Sequence, residues 1–134
     1  KQGAPTFDAV MVRKDWADQN KDFVKAFVAA MAKADAAYKA DAAKYVQGDA
    51  AATIAKVVGA DAKDVPAALA AYSYPSAADQ ASDKWLGGGA NGGVAKAMAS
   101  TAPFLKAQGR ITDIPADFSG AVDPSFAAAA AAAK

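Results

Sequence analysis

The stretch from Phe7 to Met31 reads FDAVMVRKDWADQNKDFVKAFVAAM and holds two clear secondary-structure signals. The apolar run Val10-Met11-Val12, preceded by Phe7, predicts one short buried β-strand. After Asn20, apolar residues recur at helical spacing and predict a long amphipathic helix. The residues of its apolar face are Phe23, Val24, Phe27, Val28 and Met31, with Tyr38 extending it.

The rest of the chain carries further helix signals. Asp15 is the predicted N-cap of a short turn after the strand, and Asp49 is the predicted N-cap of a helix that ends at Gly59. Asp64 opens another helix with Pro66 in its first turn. A glycine-rich loop at 87–93 leads into a helix that we expect to end at residues 108–110.

The predicted elements are one strand and about five or six helices. Because a lone strand cannot form a sheet, we expect its partners to lie outside these residues. The first residues, Lys1-Gln2-Gly3-Ala4-Pro5, contain neither a start methionine nor a signal peptide. We therefore expect a processed chain or part of a longer one, whose N-terminal part is missing here.

Composition excludes several classes of site. The chain has no histidine and no cysteine, which excludes imidazole chemistry, thiol nucleophiles and disulfides. Fifteen basic and fourteen acidic side chains are interspersed and leave a net charge of +1, so no nucleic-acid partner is predicted. No apolar run approaches the ~20 residues of a membrane span. We predict no metal, no cofactor and no catalytic activity.

The order of local motifs resembles one family. The segment Gly3-Ala4-Pro5-Thr6-Phe7-Asp8, the strand, Arg13-Lys14-Asp15-Trp16-Ala17 and the helix start Asp22-Phe23-Val24-Lys25-Ala26-Phe27 are similar to taurine-binding proteins of bacterial importers. Residues 101–111, TAPFLKAQGRI, resemble the end of a helix in the same family. The resemblance extends over residues 3–126, and the glycines of 87–93 and the alanines after 126 depart from it.

The resemblance implies an α/β fold, in which the chain is the C-terminal part of a two-lobed periplasmic binding protein of type II. Residues 1–126 would form the solute-binding segment, and residues 127–134 a low-complexity alanine tail. The implied role is to bind taurine or a similar sulfonate in the periplasm, or lipid-anchored outside the cytoplasmic membrane. The implied partners are the small-molecule ligand and the membrane permease of an ABC transporter.

The resemblance also indicates Asp8 as the main ligand-binding residue. Taurine carries an ammonium and a sulfonate, and a desolvated ammonium needs a carboxylate partner. Thr6 and Phe7 are the other candidates, as a hydrogen-bond donor and a wall of the pocket. Most aspartates instead lie on the surface, and Phe7 can equally be a core residue.

Four other interpretations remain open at this point. The ligand can be another small anion or heterocycle, such as an aliphatic sulfonate, nitrate or a thiamine precursor. The chain can also be a self-contained helical interaction domain. The glycine-rich loop can hold an anion, although it lacks the spacing of a phosphate loop and is more typical of a surface loop. Tyr72, Tyr74 and Trp85 are ligand-stacking or, more typically, packing residues.

Overall fold

The computed structural model describes residues 7–133, and within that range every regular element is helical. Seven α-helices are described, with short 3-10 turns between some of them. Their bounds are α1 Lys14–Gln19, α2 Lys21–Ala40, α3 Gly48–Val58, α4 Val65–Ala70, α5 Ala77–Ala81, α6 Gly93–Ala107 and α7 Ser125–Ala132. The 3-10 turns are Ala42–Tyr45, Ala62–Asp64, Gly89–Asn91 and Ser119–Ala121.

These helices fall into two compact units. The first unit comprises residues 1–29 and 77–134, and the second comprises residues 30–76. Helix α2 contributes its first half to one unit and its second half to the other. The predicted division at residue 126 does not coincide with either boundary and stays a prediction.

The predicted strand at Val10–Val12 is wrong for this structure. Residues 7–13 are irregular, and no backbone hydrogen bond joins 7–12 to another described residue. A strand requires a neighbouring strand to receive its N–H and C=O groups, and none is present among residues 7–133. Of the predicted α/β fold, the described residues therefore show only helices. The apolar run remains exposed, with Met11 89% accessible.

The predicted long helix is confirmed as α2, which begins one residue after Asn20. The carbonyl of Asn20 accepts the first backbone bond, from the amide of Val24. The apolar face has the predicted residues, but Val24 alone among them is buried. Phe23 is 61% and Phe27 41% exposed, so most of the apolar face of α2 is not packed against other residues of its unit.

The second unit has a small core between α3 and α4. Ala51, Ala55 and Val65 are buried there, and Ile54 and Leu69 pack against them. Helix α3 ends at Gly59, whose φ of 70° is the left-handed conformation expected of a glycine C-cap. Pro66 occupies the first turn of α4, as predicted.

Two predicted caps are displaced. Asp15 lies inside the first turn of α1, whose N-cap is Arg13, and Asp49 lies inside α3, whose N-cap is Gln47. Both carboxylates still lie near a positive helix end, which favours acidic residues throughout the first turn. The sequence signal thus located each helix start to within two residues.

The first unit is organised by small residues. Val94, Ala95 and Ala102 of α6 are buried, and Ala127 of α7 is buried where that helix packs against α5. The alanine-rich C-terminal stretch is thus a packed helix as far as Ala132. No large side chain is fully buried among the described residues. The core is therefore thin, and stability depends on few contacts.

Tyr74 links the core of the second unit to its aromatic side chains. Its hydroxyl donates to the Leu69 carbonyl at 3.1 Å, and its ring lies 4.9 Å from that of Tyr38. Burial, and then the neighbouring Tyr38, raises the pKa of Tyr74. At pH values below the ordinary tyrosine pKa, the neutral Tyr74 therefore contributes fully to the stability of the folded state. That contribution is lost as pH rises through the pKa that Tyr74 has in the folded protein.

Replacing Tyr74 by phenylalanine should lower the free energy of unfolding by about 1 kcal/mol at neutral pH, because the hydrogen bond from its hydroxyl to the Leu69 carbonyl is lost. It should also reduce the loss of stability that we expect above about pH 10, which chemical denaturation followed by circular dichroism measures. Tyr72→Phe is the matched control, since Tyr72 is 58% exposed. If both substitutions lowered the free energy of unfolding equally, the stabilising role of the Tyr74 hydroxyl would be contradicted.

Candidate functional site

The predicted ligand-binding residues lie at the start of the described chain. Asp8 is exposed, and its carboxylate has no ion-pair or hydrogen-bond partner among residues 7–133. Phe7 is half-buried. Thr6 lies outside the described residues. The structure thus leaves Asp8 available to a cation but does not show these three residues enclosing a pocket.

A shallow cavity of about 310 Å³ lies at helix α1 and was not predicted. It is lined by Val12, Arg13, Asp15, Trp16 and Gln19. Arg13 donates through two nitrogens to the two carboxylate oxygens of Asp15, with 3.0 Å from Nε to Oδ1. This guanidinium lowers the pKa of Asp15. Because the pair is mutually satisfied, the cavity offers no unpaired cation to a sulfonate.

An aromatic ladder continues from this cavity along α2. The Trp16 and Phe23 ring centroids lie 5.6 Å apart, edge to face. Phe23 and Phe27 are stacked with centroids 6.5 Å apart. Phe23 and Phe27 were predicted to lie on the apolar face of the helix, but the spacing that predicts the helix cannot distinguish a buried face from an uncovered one.

A second cavity, of about 360 Å³, lies in the second unit and is almost wholly apolar. Its lining residues are Ile54, Val58, Ala60, Asp64, Val65, Ala68, Leu69, Tyr72 and Tyr74. The hydroxyl of Tyr74 is engaged with the Leu69 carbonyl. This cavity therefore lacks the polar groups that orient a small zwitterion. The structure supports a packing role for Tyr74, whereas Tyr72 is exposed and Trp85 is half-buried outside both cavities.

The glycine-rich loop does not form an anion cradle. At the start of α6, the amide of Gly93 donates to the Asp83 carbonyl and the amide of Val94 to the Trp85 carbonyl, each at 2.9 Å. These amides would have to point at a bound anion, and they are already used by the backbone. The loop is instead a compact structural turn in which Gly87 and Gly92 are buried.

Within the described part of the chain, no cluster of acidic side chains has a geometry that could hold a metal ion. Across residues 7–133, none of the helices combines the length and apolar character needed to cross a bilayer.

Comparison with curated proteins gives one informative relative. The taurine-binding periplasmic protein of Escherichia coli strain K12 is 32% identical over 125 residues. The match covers 92% of this chain but 37% of the relative, so the chain spans little more than a third of that protein's length. The resemblance predicted from the sequence motifs is confirmed.

No protein-family model matches the chain. No solved structure matches it either. The similarity to the taurine-binding protein therefore rests on sequence alone.

Proposed function

We propose that this chain, which is similar to the E. coli taurine-binding periplasmic protein over 92% of its length, belongs to the solute-binding component of an ABC importer. That component would bind taurine or a similar small sulfonate in the periplasm and deliver it to the membrane permease. The extent of the similarity is the observation that carries the proposal. We propose a binding role without catalysis.

Asp8 is the proposed partner of the ligand's ammonium group. Its carboxylate is exposed and has no partner among the described residues, so an incoming cation displaces no existing ion pair. The nearby acidic residues differ in this respect, because Asp15 is paired with Arg13 and Asp18 with Lys14. A charged hydrogen bond to an ammonium becomes strong once the pocket closes and excludes water.

Phe7 and Thr6 are proposed to flank Asp8 in the same site. Half-buried Phe7 would cover the two-carbon linker of the ligand, and Thr6 would donate a hydrogen bond. The sulfonate would be held by backbone amides of helix N-termini in the remainder of a longer, two-lobed protein. Closure of the two lobes on the ligand would then present the surface that the permease recognises.

Deleting the gene in the organism that carries it should sharply reduce uptake of labelled taurine at limiting external concentration. Restoring the gene should return uptake, whereas uptake of sulfate should not change in either strain. Taurine uptake that is identical with and without the gene would contradict the importer role. Lost uptake of an alkanesulfonate or nitrate in place of taurine would favour the other small-anion ligands.

A further inference from the structure

The cavity of the second unit has no part in the proposed function. Its volume of about 360 Å³ is at the small end of the range of ~300–1,000 Å³ that is typical of ligand pockets. Val65 and Leu69 of α4 and Ile54 of α3 line it and also belong to the packed core of this unit. Because the core holds these side chains, the apolar wall of the cavity is already formed without a ligand.

Two tyrosine rings contribute the aromatic part of the lining. Tyr74 is held in place, since its hydroxyl donates to the Leu69 carbonyl and its ring lies 4.9 Å from that of Tyr38. The ring centroid of Tyr72 lies 6.5 Å from that of Tyr74, and Tyr72 is 58% exposed. Much of the Tyr72 ring is therefore accessible, and the face of an aromatic ring attracts cations as well as apolar groups.

The charge at this cavity is negative. Asp64 is the one charged residue among those that line it, and its exposed carboxylate has no ion-pair or hydrogen-bond partner among residues 7–133. Burial and then Tyr38 raise the pKa of Tyr74, and the charge of Asp35 raises it further, so a second carboxylate acts on the same wall. An apolar cavity with a free carboxylate suits a ligand that is a cation with an apolar body.

We propose that this cavity binds a small organic cation, with the cationic group between the Asp64 carboxylate and the Tyr72 ring and the apolar body against Val65 and Leu69. Burial of the apolar body and attraction of the cation then act together. A small anion is disfavoured, because it meets the Asp64 carboxylate and no basic residue of the lining. The site is independent of the proposed function, since it shares no residue with the proposed taurine site.

Calorimetric titration of the whole gene product with phenethylammonium tests the proposal. We expect a dissociation constant below about 1 mM. Neutral 2-phenylethanol lacks the charge and ethylammonium lacks the ring, so each should bind at least about fivefold more weakly. Absence of phenethylammonium binding would overturn the proposal. Equal affinity for either of the other two compounds would overturn it as well, because one of the two required features would then have no effect.

Substitutions of the two exposed residues test their roles. Asp64→Asn and Tyr72→Leu should each weaken phenethylammonium binding at least about fivefold, whereas Tyr72→Phe keeps the ring and should stay within about twofold of wild type. Asp49→Asn is the control, because Asp49 is exposed in the same unit and does not line the cavity. If Asp49→Asn weakens binding as much as Asp64→Asn, the attraction comes from the general charge of the unit and the assignment is wrong.

A variant that fills the cavity locates the bound probe. Ala68 lines the cavity and Ala67 does not, although both are exposed on α4. Ala68→Leu should abolish phenethylammonium binding, and Ala67→Leu should retain it, with thermal unfolding showing that both variants fold. Binding that survives Ala68→Leu would place the probe elsewhere and overturn the proposal. Taurine titrated into the same proteins tests the other site, so binding of phenethylammonium without taurine would reject the proposed function and retain this cavity site.

Discussion

Replacing Asp8 by alanine should weaken taurine binding to the whole gene product by about 2–5 kcal/mol, which is the range for removing one member of a buried charged pair. The loss arises because the ligand's ammonium, desolvated in the closed pocket, keeps no counter-charge. Calorimetric titration of wild type and variant measures the difference. Ethanesulfonate, which lacks the amine, should bind both proteins with similar affinity.

Asp113→Ala is the matched control, because Asp113 is also exposed and acidic but lies in the irregular segment after α6. It should change taurine affinity by less than about 0.5 kcal/mol. If Asp8→Ala binds taurine as tightly as this control, the carboxylate of Asp8 is not the ammonium partner. The similarity to the taurine-binding protein would still stand.

Gly93→Ala should destabilise the first unit by about 3 kcal/mol, because the site has no room for a methyl group. A Cβ atom at Gly93 would lie 1.9 Å from the Lys84 carbonyl oxygen, which belongs to the backbone and cannot rotate away. Relief of that clash would break the bond from the Gly93 amide to the Asp83 carbonyl. Urea denaturation followed by far-ultraviolet circular dichroism gives the change in unfolding free energy.

Gly120→Ala is the control for this prediction. A Cβ atom there meets no other atom within 4 Å, and its backbone φ is not positive. Its unfolding free energy should stay within about 0.5 kcal/mol of the wild-type value. A similar midpoint for both variants would show that the loop before α6 relaxes at little cost, contrary to the packing described here.

Local signals in the sequence were sufficient to predict α2, the end of α3 and the start of α4. The spacing of apolar residues predicted α2, Gly59 marked the end of α3, and Pro66 marked the first turn of α4. Each of these features depends on residues within one or two turns of the chain. Such signals therefore remain valid whatever else the protein contains.

The absence of a strand at Val10–Val12 and the exposure of the apolar face of α2 could not be predicted from local signals. Val10–Val12 has the composition of a strand, but strand formation depends on a distant partner that the described residues do not supply. The spacing that predicts the apolar face of α2 does not show whether that face is covered, because its exposure depends on what packs against it. Asp8 is exposed, and its role in ligand binding stays a prediction, since the described residues do not enclose a pocket around it.

Calorimetry on the whole gene product tests the central proposal most directly, with taurine titrated first and ethanesulfonate second. The account predicts saturable binding of taurine with a 1:1 stoichiometry and much weaker binding of ethanesulfonate. Equal affinities for the two ligands would retain a sulfonate-binding protein and remove the ammonium site at Asp8. No detectable binding of either ligand would contradict the proposed function.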